Sequence, residues 1–62
     1  MTTISFYINE NTFAYDTEIL NENSKSIYSE GIYGDIYRIE KDSKRIFKNK
    51  KYIGTALTIG VN

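Results

Sequence analysis

The chain contains no cysteine, no histidine and no proline. Small domains are commonly stapled by a disulfide or a structural zinc, and neither can form without these ligands. The same absences remove the commonest thiol nucleophile and the commonest general base. There is no Gly-x-Gly-x-x-Gly, Walker or Gly-x-Ser-x-Gly sequence, and the four glycines (Gly31, Gly34, Gly54 and Gly60) are too dispersed to cradle a phosphate. Catalysis, a cofactor and a metal site are therefore not expected. Asp16 and Glu18, spaced by two on one strand face, could bind Mg²⁺ or divide acid and base duties, but a solvated outer face is the simpler reading. The Ser24-Lys25 and Ser43-Lys44 pairs point apart on an extended chain and make no dyad. Lys, Arg and Tyr can support a histidine-free ribonuclease, although this chain is short for such a toxin.

Long apolar runs are also missing. Nothing approaches the ~20 residues of a membrane-spanning helix. The first base is Lys25, so the charged start of a signal peptide is absent, and no Asn-x-Ser/Thr sequon occurs. A cysteine-free chain suits a reducing compartment. The expectation is a soluble cytoplasmic protein, cytoplasmic to the host cell if the gene is phage-borne, and the chain reads as a complete gene product beginning at Met1.

Ten Ile, six Tyr and three Phe supply most of the apolar mass, while Ala (14 and 56) and Leu (20 and 57) are scarce. Branched and aromatic side chains suit a pleated, half-buried surface. Ile, Asn, Lys and Tyr make up nearly half of the sequence. All four have A/T-rich codons, which points to a low-GC bacterium, a phage or another mobile element. With 62 residues the chain is one small domain, near the lower limit for folding alone.

Residues 3–8 alternate, with Ile4, Phe6 and Ile8 on one face. After the polar cluster 9–12, residues 13–20 alternate again, placing Phe13, Tyr15, Thr17 and Ile19 on one face and Ala14, Asp16, Glu18 and Leu20 on the other. The polar stretch 21–31 suggests one or two turns of helix near 22–30, with Asn21 or Asn23 as N-cap and Gly31 after its end; a plain loop is the alternative. Strands are expected at 32–41, 45–48 and 51–59, with turns at 42–43 and 49–50. In the last strand Ile53, Thr55, Leu57 and Ile59 share one face; the small residues Gly54, Ala56 and Gly60 imply close packing on the other. The predicted class is mainly β, a small antiparallel sheet or SH3-like barrel of about five short strands with one short helix. An α+β arrangement is the alternative.

The zero net charge conceals a split. Residues 1–35 carry −5 and residues 36–62 carry +5, a pattern associated with nucleic-acid contact or a charged interaction surface, or simply with two halves that attract. Within 41–51, Lys41, Lys44, Arg45, Lys48, Lys50 and Lys51 face one acid, with Phe47 and Tyr52 interleaved. Clustered bases with aromatics suit phosphate contact and base stacking, although edge lysines also guard against aggregation. Tyr28, Tyr33, Tyr37 and Arg38, set among Ser, Gly and Asp, have the composition of a protein-binding surface. The function expected is a non-catalytic protein that binds a larger protein or nucleoprotein complex stoichiometrically, for example a phage inhibitor that blocks a host defence system in the manner of an anti-CRISPR. The alternative is a nucleic-acid-binding small barrel using ribbon 41–51. No membrane partner is expected, and a homodimer formed through a strand edge is open.

Overall fold

In the computed structural model, which describes residues 2–62, the alternating segments become seven strands. These are β1 (Thr3–Asn9), β2 (Thr12–Glu22), β3 (Ser26–Glu30), β4 (Ile36–Glu40), β5 (Arg45–Lys48), β6 (Lys51–Thr55) and β7 (Thr58–Val61). They form one antiparallel sheet in the order β6-β5-β4-β3-β2-β1-β7.

No helix occurs among the described residues, so the helix expected near 22–30 gives way to a hairpin. The Asn23 side chain accepts hydrogen bonds from the amides of Lys25 and Ser26, both at 2.8 Å, and the Asn23 amide donates to the Ser26 carbonyl at 2.9 Å. A residue with N-cap chemistry thus closes the β2–β3 turn. Ile27 then points inward and Tyr28 outward, a strand alternation. The strand expected at 32–41 begins only at Ile36, because Gly31–Asp35 form a loop. The turn at 49–50 is present: Asn49 and Lys50 both have positive φ (50° and 72°), as a two-residue hairpin turn matched to strand twist requires.

The sheet order dictates curvature. Laid flat, six inter-strand gaps of about 4.8 Å would separate the β6 and β7 edges by roughly 29 Å. Only Ala56 and Leu57 join these strands, and three residue steps span at most about 11 Å. The sheet must therefore curl into a half-barrel, 26 × 25 × 21 Å overall. In effect β6 and β7 are halves of one bent strand, the first paired with β5 and the second with β1. The bend is pinned on both sides: the Ala56 amide donates to the Lys44 carbonyl and the Leu57 amide to the Tyr7 carbonyl, each at 2.8 Å. Gly54 permits the approach. A Cβ there would lie 2.8 Å from Ile8 Cγ2, and its φ is +142°. Ala56 is buried as the small-residue pattern suggested, whereas Gly60 has open space beside it and Leu57 is exposed.

A second irregularity re-phases β2. Ile4 pairs with Thr17 and Phe6 with Ala14, so β2 uses one extra residue opposite Ser5. Asp16 takes up the slack at φ 54°, a conformation that Asp tolerates better than most residues. Its amide donates to Ser5 Oγ at 2.9 Å. Phe13, Tyr15, Thr17 and Ile19 therefore do not share one face as expected: Thr17, Ile19 and Ala14 turn inward, and Phe13 and Tyr15 turn outward.

The core comprises Ile4, Phe6, Ile27, Tyr37, Ile39, Ile46 and Ala56. Tyr37 packs edge-on against Phe6, with ring centroids 5.1 Å apart. One polar pair sits within it. Thr17 Oγ1 donates to the Ile4 carbonyl at 2.7 Å and lies 2.9 Å from the fully buried Ser29 Oγ. A hydroxyl has one hydrogen, so with Thr17's committed to the carbonyl, Ser29 is the donor to Thr17.

Two stability effects follow. Thr17→Val should cost about 1–3 kcal/mol in urea unfolding, because it strands the Ser29 hydroxyl. Adding Ser29→Ala should recover part of that loss; a double variant no better than the single one would show that the hydroxyl pair is not the cause. Gly54→Ala should cost about 1–3 kcal/mol, with only partial recovery on adding Ile8→Ala, since the positive φ persists.

Candidate functional site

The charge split of the sequence falls between β3 and β4, so the acidic residues 1–35 and the basic residues 36–62 occupy different strands of the curled sheet. Each region carries its own aromatic surface.

On the acidic side the feature is the β3–β4 loop. The Gly31 amide donates to the Asp35 carbonyl at 2.9 Å and the Gly34 amide to the Gly31 carbonyl at 3.0 Å. Gly34, at φ 84°, makes the reversal. The Asp35 carboxylate accepts a hydrogen bond from Asn49 Nδ2 at 3.0 Å and lies 3.6 Å from Lys48 Nζ. Asn49 Oδ1 in turn accepts the Ile36 amide at 2.9 Å, and the Asn49 amide donates to the Ile36 carbonyl at 2.8 Å. This anchored loop holds Ile32 and Tyr33 out in solvent, 84% and 89% exposed. Beside it runs a groove of about 300 Å³, lined by Phe13, Tyr15 and Thr17 of β2 and by Ile32, Tyr33 and Tyr37. The groove exists because β2 is shared unevenly. Its first part pairs with β1, and β3 joins only from Glu18 onward. Tyr7, Phe13 and Tyr15 form a continuous aromatic run, with centroids 6.4 Å and then 5.3 Å apart.

On the basic side, Tyr28, Arg38, Phe47 and Tyr52 stand directly opposite one another across β3, β4, β5 and β6. The Arg38 guanidinium lies 4.1 Å over the Phe47 ring and its Nη1 is 3.1 Å from Glu40 Oε2. Phe47 and Tyr52 have centroids 5.5 Å apart. A cavity of about 360 Å³ adjoins the row, lined by Tyr28, Ile36, Arg38, Phe47, Asn49 and Lys50.

The residues singled out in the sequence are thus distributed. Tyr28 and Arg38 are neighbours on the basic face, Tyr33 is at the loop tip, and Tyr37 is a core residue, 8% exposed. The basic ribbon divides by height: Lys41, Lys44 and Arg45 lie at one end of β5, Lys48, Lys50 and Lys51 at the other. Lys41 is paired with Glu22. The sequence does not single out Ile32, although bracketing glycines mark a loop tip, and it groups Phe13 and Tyr15 with Thr17 and Ile19 because the Asp16 bulge has no sequence signature. Among the described residues, no group of three or more acidic side chains is arranged to hold a metal ion.

Near the loop, Glu18 and Glu30 are directly opposite across β2 and β3, and both are exposed. Like charges in that register repel. Glu30→Lys should therefore raise the free energy of unfolding in urea by a few tenths of a kcal/mol, and the gain should shrink at high salt; an unchanged stability at low salt would remove the repulsion from consideration. No known protein family, characterised protein or solved structure matches the chain.

Proposed function

We propose that the protein is a non-catalytic binding module that occupies a site on a larger protein or nucleoprotein complex, with Ile32 and Tyr33 as its anchor. The observation that carries this reading is their near-complete exposure on a loop fastened at both ends. Burying an isoleucine-sized side chain is worth about 1.5–3 kcal/mol. Within a single chain that gain is left unused, whereas a partner pocket would realise it. Because the loop is already hydrogen-bonded into shape, little ordering entropy opposes docking.

The surroundings indicate what kind of partner fits. The Ile32 side chain has neither a ring to stack on nor a hydrogen-bonding group, and an apolar protein pocket suits it better than a base edge. Glu10, Asp16, Glu18 and Glu30 belong to the same acidic half of the chain, which would repel phosphate. An apolar pocket rimmed by basic side chains satisfies both features. Such docking acts by occlusion and needs no catalytic group, which accommodates a steric inhibitor.

A photo-crosslinking residue in place of Tyr33 should yield a discrete protein adduct in lysate of the cells that express the protein. Excess unlabelled wild type should compete it away, and an Ile32→Asp competitor should fail to do so. No competed adduct, or equal competition by Ile32→Asp, would overturn the assignment.

A further inference from the structure

We infer that the outer face of β3–β6 is a second binding site, a stacking platform for single-stranded nucleic acid. The inference is independent of the Ile32–Tyr33 anchor, because it concerns a different face with different chemistry.

The row Tyr28–Arg38–Phe47–Tyr52 is set by strand register. The four side chains come from adjacent strands, with a register shift beside Phe47 in the β5–β6 ladder, and at about 4.8 Å per strand the row runs about 14 Å from end to end. That length accommodates a short run of nucleotides. Tyr52 is half exposed, and the rings of Tyr28 and Phe47 border the adjoining cavity. Ring faces at a sheet surface are what unpaired bases stack on, with little regard to base identity.

The cations favour a polyanion over an uncharged partner. Phe47 is flanked along its own side of the sheet by Arg45, which borders a hollow with Phe47 and Tyr52, and by Lys50, which lines the cavity. Among the described residues, neither Arg45, Lys50 nor Lys51 is within ion-pair distance of a carboxylate. Lys48 and Lys51, paired across β5 and β6, share the face of Tyr37 and line a pocket there with Phe6, so the cations beside the row are Arg45 and Lys50. A phosphate backbone laid past Arg45 and Lys50 would meet their charges while its bases reach the row. Arg38 is already neutralised by Glu40 and lies over the Phe47 ring, so the half-exposed Tyr52 presents the most open ring of the row. A duplex keeps its ring faces covered and cannot use such a row, which is why the site fits single strands.

Fluorescence anisotropy of the full chain with labelled oligothymidine, oligouridine and a duplex of equal length tests this. Single strands should bind in preference to the duplex, with affinity falling as salt rises. Tyr52→Leu, a surface change that preserves bulk and removes the ring, should weaken binding roughly tenfold. Lys50→Glu should weaken it as well and flatten the salt dependence. Ile32→Asp should leave it unchanged, so failure here and failure of the protein-binding anchor are separate outcomes. Circular dichroism of each variant establishes that the fold is retained. Absence of binding at low salt, equal affinity for the duplex, or binding indifferent to Tyr52→Leu would each overturn the proposal.

Discussion

The two-residue link between β6 and β7 joins strands that hydrogen bonding places at opposite edges of the sheet. Almost every other feature depends on it. It forces the sheet to curl, and the curl gives a chain of this size an inside to fill. The inside takes the isoleucines, Phe6 and Tyr37. It also demands local irregularity: a glycine where β6 crosses Ile8, and a bend at Ala56 and Leu57 fastened by main-chain hydrogen bonds to both neighbours. With no cysteine to form a disulfide, the curling of the sheet around its core is what holds the small domain together.

Curling also separates the outer surface into two regions. The acidic strands carry the aromatic run Tyr7–Phe13–Tyr15 and the projecting loop. The basic strands β4–β6, with the adjoining β3, carry the Tyr28–Arg38–Phe47–Tyr52 row. Their contents differ in kind, aliphatic and aromatic groups among acids on one side, rings among cations on the other. A chain with no net charge is therefore strongly polar in the way it presents itself, and its overall pI of about 6.1 describes neither region.

Much of this was legible in the residues. Alternation located β1, β5 and most of β2, and the Asn49-Lys50 pair announced its turn. What was not legible follows from geometry that single side chains do not encode. Asn23 carries the same chemistry whether it caps a helix or closes a hairpin, and only the partner strand decides between them. The Asp16 bulge shifts the phase of everything before it in β2, so Phe13 and Tyr15 read as sharing a face with Thr17 and Ile19 until the pairing with β1 is known. The row on the basic face joins residues 24 positions apart from Tyr28 to Tyr52 and depends on the register of three ladders at once. The break in the final strand is equally silent, since Lys51–Val61 is a plausible unbroken strand until its two halves prove to have different neighbours.

The ladder between β1 and β7 bears on the order of assembly. Ile4 faces Val61, and the Thr3 and Asn62 backbones exchange hydrogen bonds at 3.2 and 2.9 Å. Every other ladder joins strands consecutive in the chain, each reachable across a short turn. Bringing together segments some fifty residues apart carries a chain-closure entropy of roughly 3–4 kcal/mol if attempted from the open coil. Once the meander has formed, the ends are already near each other and most of that entropy has been lost. Physical economy therefore places the closing of the sheet last in folding and its opening first in unfolding. The seam between the two ends of the chain is then where the lifetime of the folded state is set.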